Sequence, residues 1–207
     1  DRTGEGITLN NIGLIYNNLD EYSKSLDYYE RALMISREIG SRAVEGSILI
    51  GIGSTYEKLN QPLRALDYYE QALVTIRAID DYASEGVILN NIGSTYDELG
   101  QHSQALDHYE QALMILREIG NRAGEGATLN NIGRLLETTG GPELAIVFLK
   151  QSVNLYEEIR KGNQSLTQEQ QQSYTDTIAG TYRKLADLLL QENRVLEAQA
   201  VLDLLRT

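Results

Sequence analysis

The chain has 207 residues, 42% of them hydrophobic, with 30 acidic against 18 basic side chains and a formal charge of −12 at pH 7. Such a charge repels phosphate backbones and anionic headgroups, which argues against nucleic acid and membrane surfaces as partners. No cysteine is present, which excludes a disulfide framework, a thiolate zinc site and a cysteine nucleophile. No apolar run approaches the roughly 18–20 residues of a spanning helix, and Asp1 to Gly6 lack the basic and apolar regions of a signal peptide. A cytoplasmic chain is therefore expected.

Asp1-Arg2-Thr3-Gly4-Glu5-Gly6 aligns with Asn121-Arg122-Ala123-Gly124-Glu125-Gly126, which follows a helix ending in Ile119-Gly120. Residue 1 thus falls in an inter-repeat turn, and the chain is expected to be cut from a longer array. Asn-Ile-Gly then recurs at Asn11-Ile12-Gly13, Asn91-Ile92-Gly93 and Asn131-Ile132-Gly133, with Gly51-Ile52-Gly53 in the missing slot, a period of 40 residues. A period of that size implies stacked supersecondary units that bury their faces against one another.

Within one period the apolar residues fall at helical spacing. Leu89, Ile92, Tyr96 and Leu99 form a first segment, and Ala105, Leu106, Tyr109, Ala112, Leu113, Leu116 and Ile119 a second. The short turn Leu99-Gly100-Gln101, with counterparts Leu19-Asp20-Glu21 and Leu59-Asn60-Gln61, predicts an antiparallel helix hairpin. Pro62 suits the first turn of a helix, where its missing N–H costs nothing. Ile39-Gly40, Ile79-Asp80 and Ile119-Gly120 end the second helices. Glu5, Glu45, Glu85 and Glu125 open the first helices, where negative charge suits the helix dipole.

Repeats are expected at about 4–40, 43–80, 83–120 and 123–160. The fourth is worn, with Leu136 for the tyrosine, Thr139 for the leucine and Gly140-Gly141-Pro142 lengthening the punctuation. A loop is expected at 161–166, and Thr167 with Gln170 makes a capping box for a long helix running to about Leu190. Ala186 takes the glycine slot of an extended fifth helix pair at 167–206, with about 13 inserted residues, and Gln168, Gln170, Gln171 and Gln172 read as a solvated helix face.

The spacing Ile92, Gly93, Tyr96, Ala105, Tyr109 and Ala112, matched by Ile52, Gly53, Tyr56, Ala65, Tyr69 and Ala72, resembles the tetratricopeptide repeat. The first unit carries Ser25 for the first alanine, and the fourth carries Leu149 and Ser152. The resemblance covers nearly the whole chain, although the period exceeds the common form of about 34 residues and the early tryptophan and terminal proline are missing. Leu-Asn-Asn-Ile-Gly and the long period resemble the repeats of kinesin light chains and of G-protein-signalling modulators, families that bind peptide segments of other proteins. The text from Gln171 through Leu190 and Val201-Leu202-Asp203-Leu204-Leu205 resembles segments that precede CHAT (caspase-like) peptidase domains in bacterial, especially cyanobacterial, proteins. The implied fold is an all-α right-handed superhelix, an α-solenoid of antiparallel hairpins with the first helices lining a concave face.

Gly13, Gly53, Gly93 and Gly133 with Ala32, Ala72 and Ala112 are assigned to close helix contacts, and Tyr16, Tyr56, Tyr96, Tyr29, Tyr69 and Tyr109 to the core beside them. Helical periodicity then places Asn10, Asn17, Ile50, Ser54, Glu57, Asn90, Ser94, Asp97, Asn130, Arg134 and Glu137 along the concave groove. For Asn10, Asn90 and Asn130 two roles stay open, hydrogen bonding to an extended partner backbone or bonding between repeats. Asn11, Asn91 and Asn131 lean toward the structural role. Glu57, Asp97, Glu98 and Glu137 outweigh Lys58 and Arg134, so basic or neutral segments should be preferred to acidic ones.

No catalytic residue, metal site or cofactor is expected. His102 and His108 are six apart on one helix, on different faces and away from metal-ligand spacing, and are read as surface imidazoles. Asp107 beside His108 makes no triad, and the glycines sit at junctions and packing slots rather than in a phosphate loop. The chain reads as a protein-interaction scaffold that captures a partner segment on its groove. The alternatives are a regulatory arm of a CHAT-type peptidase lying beyond Thr207, and end-to-end self-association through exposed apolar end faces.

Overall fold

The computed structural model describes residues 2–162 and 167–206. The described residues form ten α-helices and a final 3-10 turn: α1 (Arg2–Asn18), α2 (Tyr22–Glu38), α3 (Arg42–Lys58), α4 (Pro62–Arg77), α5 (Tyr82–Glu98), α6 (His102–Glu118), α7 (Arg122–Thr138), α8 (Pro142–Gly162), α9 (Gln168–Gln191), α10 (Val195–Asp203) and Leu204–Arg206. Helices α1 and α2, α3 and α4, α7 and α8, and α9 and α10 pack as hairpins. The fold is all-α.

A residue in the left-handed region stands at every twentieth position, at Asp20, Gly40, Asn60, Asp80, Gly100, Gly120 and Gly140. The next N–H reaches back five residues to close each helix, as Gln61 does to the Tyr56 carbonyl at 2.9 Å and Asn121 to the Leu116 carbonyl at 2.8 Å. The 40-residue repeat is therefore punctuated at its midpoint as well as at its end. In the first two repeats Asp and Asn hold three of the four turns, with φ of 58° at Asp20, 56° at Asn60 and 54° at Asp80, and Gly40 holds the other. Pro62 and Pro142 open α4 and α8, where the fixed φ suits the first turn.

The chain divides into two compact units, Asp1–Ile115 and Leu116–Thr207. In the first, Tyr29 and Tyr69 are buried, and their rings occupy the space that a side chain at glycine would need. A Cβ on Gly13 would lie 2.8 Å from the Tyr29 ring, one on Gly51 2.6 Å from it, and one on Gly53 2.6 Å from Tyr69. Tyr109 meets Gly93 in the same way. Ser25, standing where other repeats have alanine, is buried and donates to the Gly13 carbonyl at 2.9 Å.

The core of the second unit gathers Ala145, Ile146, Leu149, Val153 and Tyr156 with Tyr182, Leu185, Ala186, Leu189 and Ala198. Leu149 stands against Gly133, and buried Ser152 donates to the Gly126 carbonyl at 2.7 Å. Thr167 caps α9: its Oγ accepts the Gln170 N–H at 3.3 Å while the Gln170 side chain accepts the Thr167 N–H at 3.1 Å. Lys161 and Gly162, expected in a loop, still belong to α8. The rest of that expected loop, 163–166, lies outside the described residues, as does the turn expected at Asp1.

Candidate interaction surface

The residues expected on the groove differ in how free they are. In the first unit Asn10, Ile50, Ser54, Asn90, Ser94 and Asp97 are half-buried. They share a helix face while Leu49, Ile52, Leu89 and Ile92 beside them in sequence are buried. Ile7, Leu14 and Val87 leave 44%, 48% and 42% of their surface exposed on the first helices. This face is a mixture of amide, hydroxyl and apolar groups.

Asn17 departs from the expectation. It is buried, 4% exposed, with its Oδ1 lacking a hydrogen-bond partner, whereas Glu57, Asp97 and Glu137 at the same position of the later repeats are half-buried. Glu57 departs in another way, since its carboxylate is already engaged. Oε2 accepts the Tyr69 hydroxyl at 2.7 Å, and Thr95 Oγ lies 2.8 Å from Oε1. One carboxylate thus ties α3 to α4 and to α5. Burial pushes the Glu57 carboxyl above its ordinary range, against the two hydrogen bonds, and the charge of Glu98 adds to the rise. Burial likewise pushes the Tyr69 hydroxyl up, with Glu57 reinforcing it. Asp97 meets His102 at 3.0 Å.

In the second unit Asn130 Oδ1 accepts the Thr181 hydroxyl at 3.0 Å, a bond from α7 to α9. Glu137 pairs with Lys184 at 2.8 Å. Arg134 is exposed. Of the two roles open for the asparagines, Asn130 fills the structural one here. Asn11, read as structural, is exposed, while Asn91 and Asn131 are half-buried.

Sequence reasoning missed two regular features. Arg37 donates to Glu45 at 2.7 Å, Arg77 to Glu85 at 2.7 Å and Arg117 to Glu125 at 2.8 Å. Each pair joins the last turn of one helix to the first turn of the next repeat, and Glu85 and Glu125 are buried. The recurring glutamates therefore serve a junction bond in addition to the helix dipole, and the eight-residue spacing from each arginine was the available signal. The second feature is a set of stacked rings: Tyr16 on Tyr28, Tyr56 on Tyr68 and Tyr96 on His108, with centroids 5.3, 5.4 and 5.4 Å apart. His108 is accordingly no surface imidazole. It is half-buried in a slot that tyrosine fills in the earlier repeats, and its Nδ1 is buried without a hydrogen-bond partner. His102 is exposed, as expected.

Among the described residues no cluster of three metal-ligating side chains occurs, and no helix is long and apolar enough to cross a membrane. Hairpins repeating every 40 residues, with small residues in the packing slots, define an α-helical repeat scaffold. The tetratricopeptide repeat model matches residues 5–77, 64–118 and 84–158, and the chain belongs to that family.

Solved structures share the fold at low identity. BtubC (BKLC) from P. vanneervenii has a TM-score of 0.78 at 16% identity, covering 99% of this chain and 80% of that one. The kinesin light chain TPR-like repeats of Podosopora anserina have a TM-score of 0.70 at 15% identity, covering 100% and 95%. A Rap protein complexed with competence and sporulation factor has a TM-score of 0.75 at 17% identity, covering 96% of this chain and 52% of that one. No curated protein matches the sequence.

Proposed function

We propose that this chain is a non-catalytic scaffold that captures a segment of a protein partner on the open face of α1, α3 and α5. The observation that carries the reading is the register of Asn10, Ile50 and Asn90. They occupy equivalent positions on three successive first helices and are half-buried, while Leu9, Leu49 and Leu89 beside them are fixed in the core. The amides of the first and third of these positions can donate to and accept from the backbone of an extended segment, and Ile50 with Ser54 and Ser94 varies the face so that side chains can be told apart.

The membership of the family and the complex of the Rap protein with its factor support this reading. Asp97, and Glu98 beside it, favour a basic or neutral segment over an acidic one. Peptides selected from a random display library against the intact chain test it. Ser54→Arg with Ser94→Arg, which places bulk and charge on the face, should weaken the selected peptides at least about tenfold, the worth of about 1.4 kcal/mol. Selected peptides that bind the double variant as well as the parent chain would overturn the proposal. Sedimentation of the parent chain over a range of concentrations tests the competing reading, in which the exposed groups join copies end to end.

A further inference from the structure

The opposite helices carry a second regularity that the groove does not use. Both of the chain's methionines, Met34 and Met114, stand at the same position of their repeats, with Val74 between them in register, and all three are exposed, by 66%, 66% and 71%. Methionine is a poor choice for a solvated position unless something covers it, and its flexible thioether adapts to varied apolar partners. The repeats place an acidic residue seven positions before each of these side chains, and another four before: Asp27 and Glu30, Asp67 and Glu70, Asp107 and Glu110. On a helix these offsets share one face.

The charges on this face are unspent. Glutamates elsewhere are drawn into ion pairs, as Glu45, Glu85 and Glu125 are at the repeat junctions. Among the described residues Glu30, Asp67, Glu70, Asp107 and Glu110 form none, and Asp27 has only Arg31, at 3.9 Å on its own helix. Between α2 and α4 the face opens into a cleft of about 520 Å³ lined by Arg37, Leu49, Asp67, Glu70, Val74 and Thr75. Arg37 is bound to Glu45, which leaves the acidic groups to set the sign of the cleft. The pattern stops with the third repeat: α8 has Val147, Lys150 and Asn154 at the corresponding positions.

We propose that the outer face of α2, α4 and α6 docks a basic amphipathic helix of a protein partner. Its apolar stripe would cover Met34, Val74 and Met114, and its lysines or arginines would meet the carboxylates that flank them. An apolar ridge flanked by unpaired carboxylates is complementary to a helix with an apolar stripe flanked by cations. A second copy of this chain is the wrong occupant on charge grounds, because two chains of net charge −12 repel.

The test uses the intact chain and a fluorescent 18-residue peptide of leucine and lysine arranged as an amphipathic helix, with a peptide of the same composition in scrambled order. Anisotropy titrations should give binding of the ordered peptide at least tenfold tighter than of the scrambled one. The triple variant Met34→Ser, Val74→Ser and Met114→Ser should weaken the ordered peptide at least tenfold, and Asp67→Asn with Glu70→Gln should weaken it by a factor of several. Ser54→Arg with Ser94→Arg, on the other face, should leave it within twofold. Circular dichroism would verify that the variants stay folded, which the exposure of Met34, Asp67, Glu70, Val74 and Met114 favours. Equal binding of the two peptides, unchanged affinity in the triple variant, or a self-association abolished by that variant would each overturn the proposal.

Discussion

The Tyr69 hydroxyl donates to the Glu57 carboxylate at 2.7 Å, joining the two helices of the second repeat through a half-buried acid that also meets Thr95 of the third. Glu57→Ala removes the acceptor of the Tyr69 hydroxyl, which belongs to a ring wholly buried. The expected cost is about 1–3 kcal/mol. Tyr69→Phe combined with Glu57→Ala should cost less than the sum of the single changes, as residues sharing a bond do. Because burial and then Glu98 push the Glu57 carboxyl up, the folded chain holds that proton more tightly than the unfolded one. Its contribution is present at and below the ordinary glutamate range and is lost as pH rises through the folded pKa. Urea denaturation should therefore find Glu57→Gln gaining on the parent chain as pH is raised from about 4 to about 7, and a difference that stays constant would contradict the assignment.

Two kinds of glycine should respond differently to alanine. At Gly53 the new Cβ would stand 2.6 Å from the Tyr69 ring, and overpacking of this sort costs about 1–3 kcal/mol. At Gly40 nothing lies within 4 Å, but φ is +69°, and the left-handed backbone costs an L-residue about 1–2 kcal/mol. Asp80→Gly should act in the other direction, because Asp80 already holds a φ of 54°; a gain of a few tenths to about 1 kcal/mol is expected. Thermal unfolding of the three variants would rank them.

The repeat itself was legible because its signals are local and redundant: glycine opposite tyrosine, alanine at the crossing, a turn residue every twenty positions. The capping box at Thr167 and Gln170 was legible for the same reason, since both partners lie within one turn. The engagement of Glu57 was not, because its partners are 12 and 38 residues away and a glutamate on a helix face reads as solvated until the neighbouring hairpins are in place. Asn17 misled for a related reason. Periodicity assigns a helix face but not how deep the next repeat covers its end. Asn130 could only be assigned to Thr181 once the inserted residues before α9 had been spanned.

The pair of Arg77 and Glu85 should behave as a junction bond and not as a surface ornament. Glu85 is buried while half of the Arg77 side chain meets solvent, so truncating the arginine leaves a carboxylate with little water to replace it. Arg77→Ala should destabilise by about 1–3 kcal/mol, and the coupling energy with Glu85→Ala should fall within about 0.5–3 kcal/mol. A coupling near zero would mean that each group serves only its own helix dipole.

His108 occupies a ring slot that holds Tyr28 and Tyr68 in the earlier repeats, stacked on Tyr96 at an interplanar angle of 10°. Burial pulls the His108 pKa below its ordinary value, against the opposing charges of Asp107 and Glu70, while Arg77 adds to the fall. The folded chain therefore prefers the neutral imidazole. A proton is taken up more readily after unfolding, so this group's contribution is present above the ordinary histidine range and is lost as pH falls through that range toward the folded pKa. His108→Tyr restores the ring of the other repeats and removes the titration. The stability of the variant relative to the parent should rise as pH is lowered from about 7.5 to about 5.5, followed by urea denaturation at each pH. The Tyr96 stack gives a check that a purely structural change would not move: the imidazole C–H resonances of His108 should titrate below the ordinary histidine range. Titration of His108 at the ordinary histidine value would place it in solvent and remove the reason for the effect.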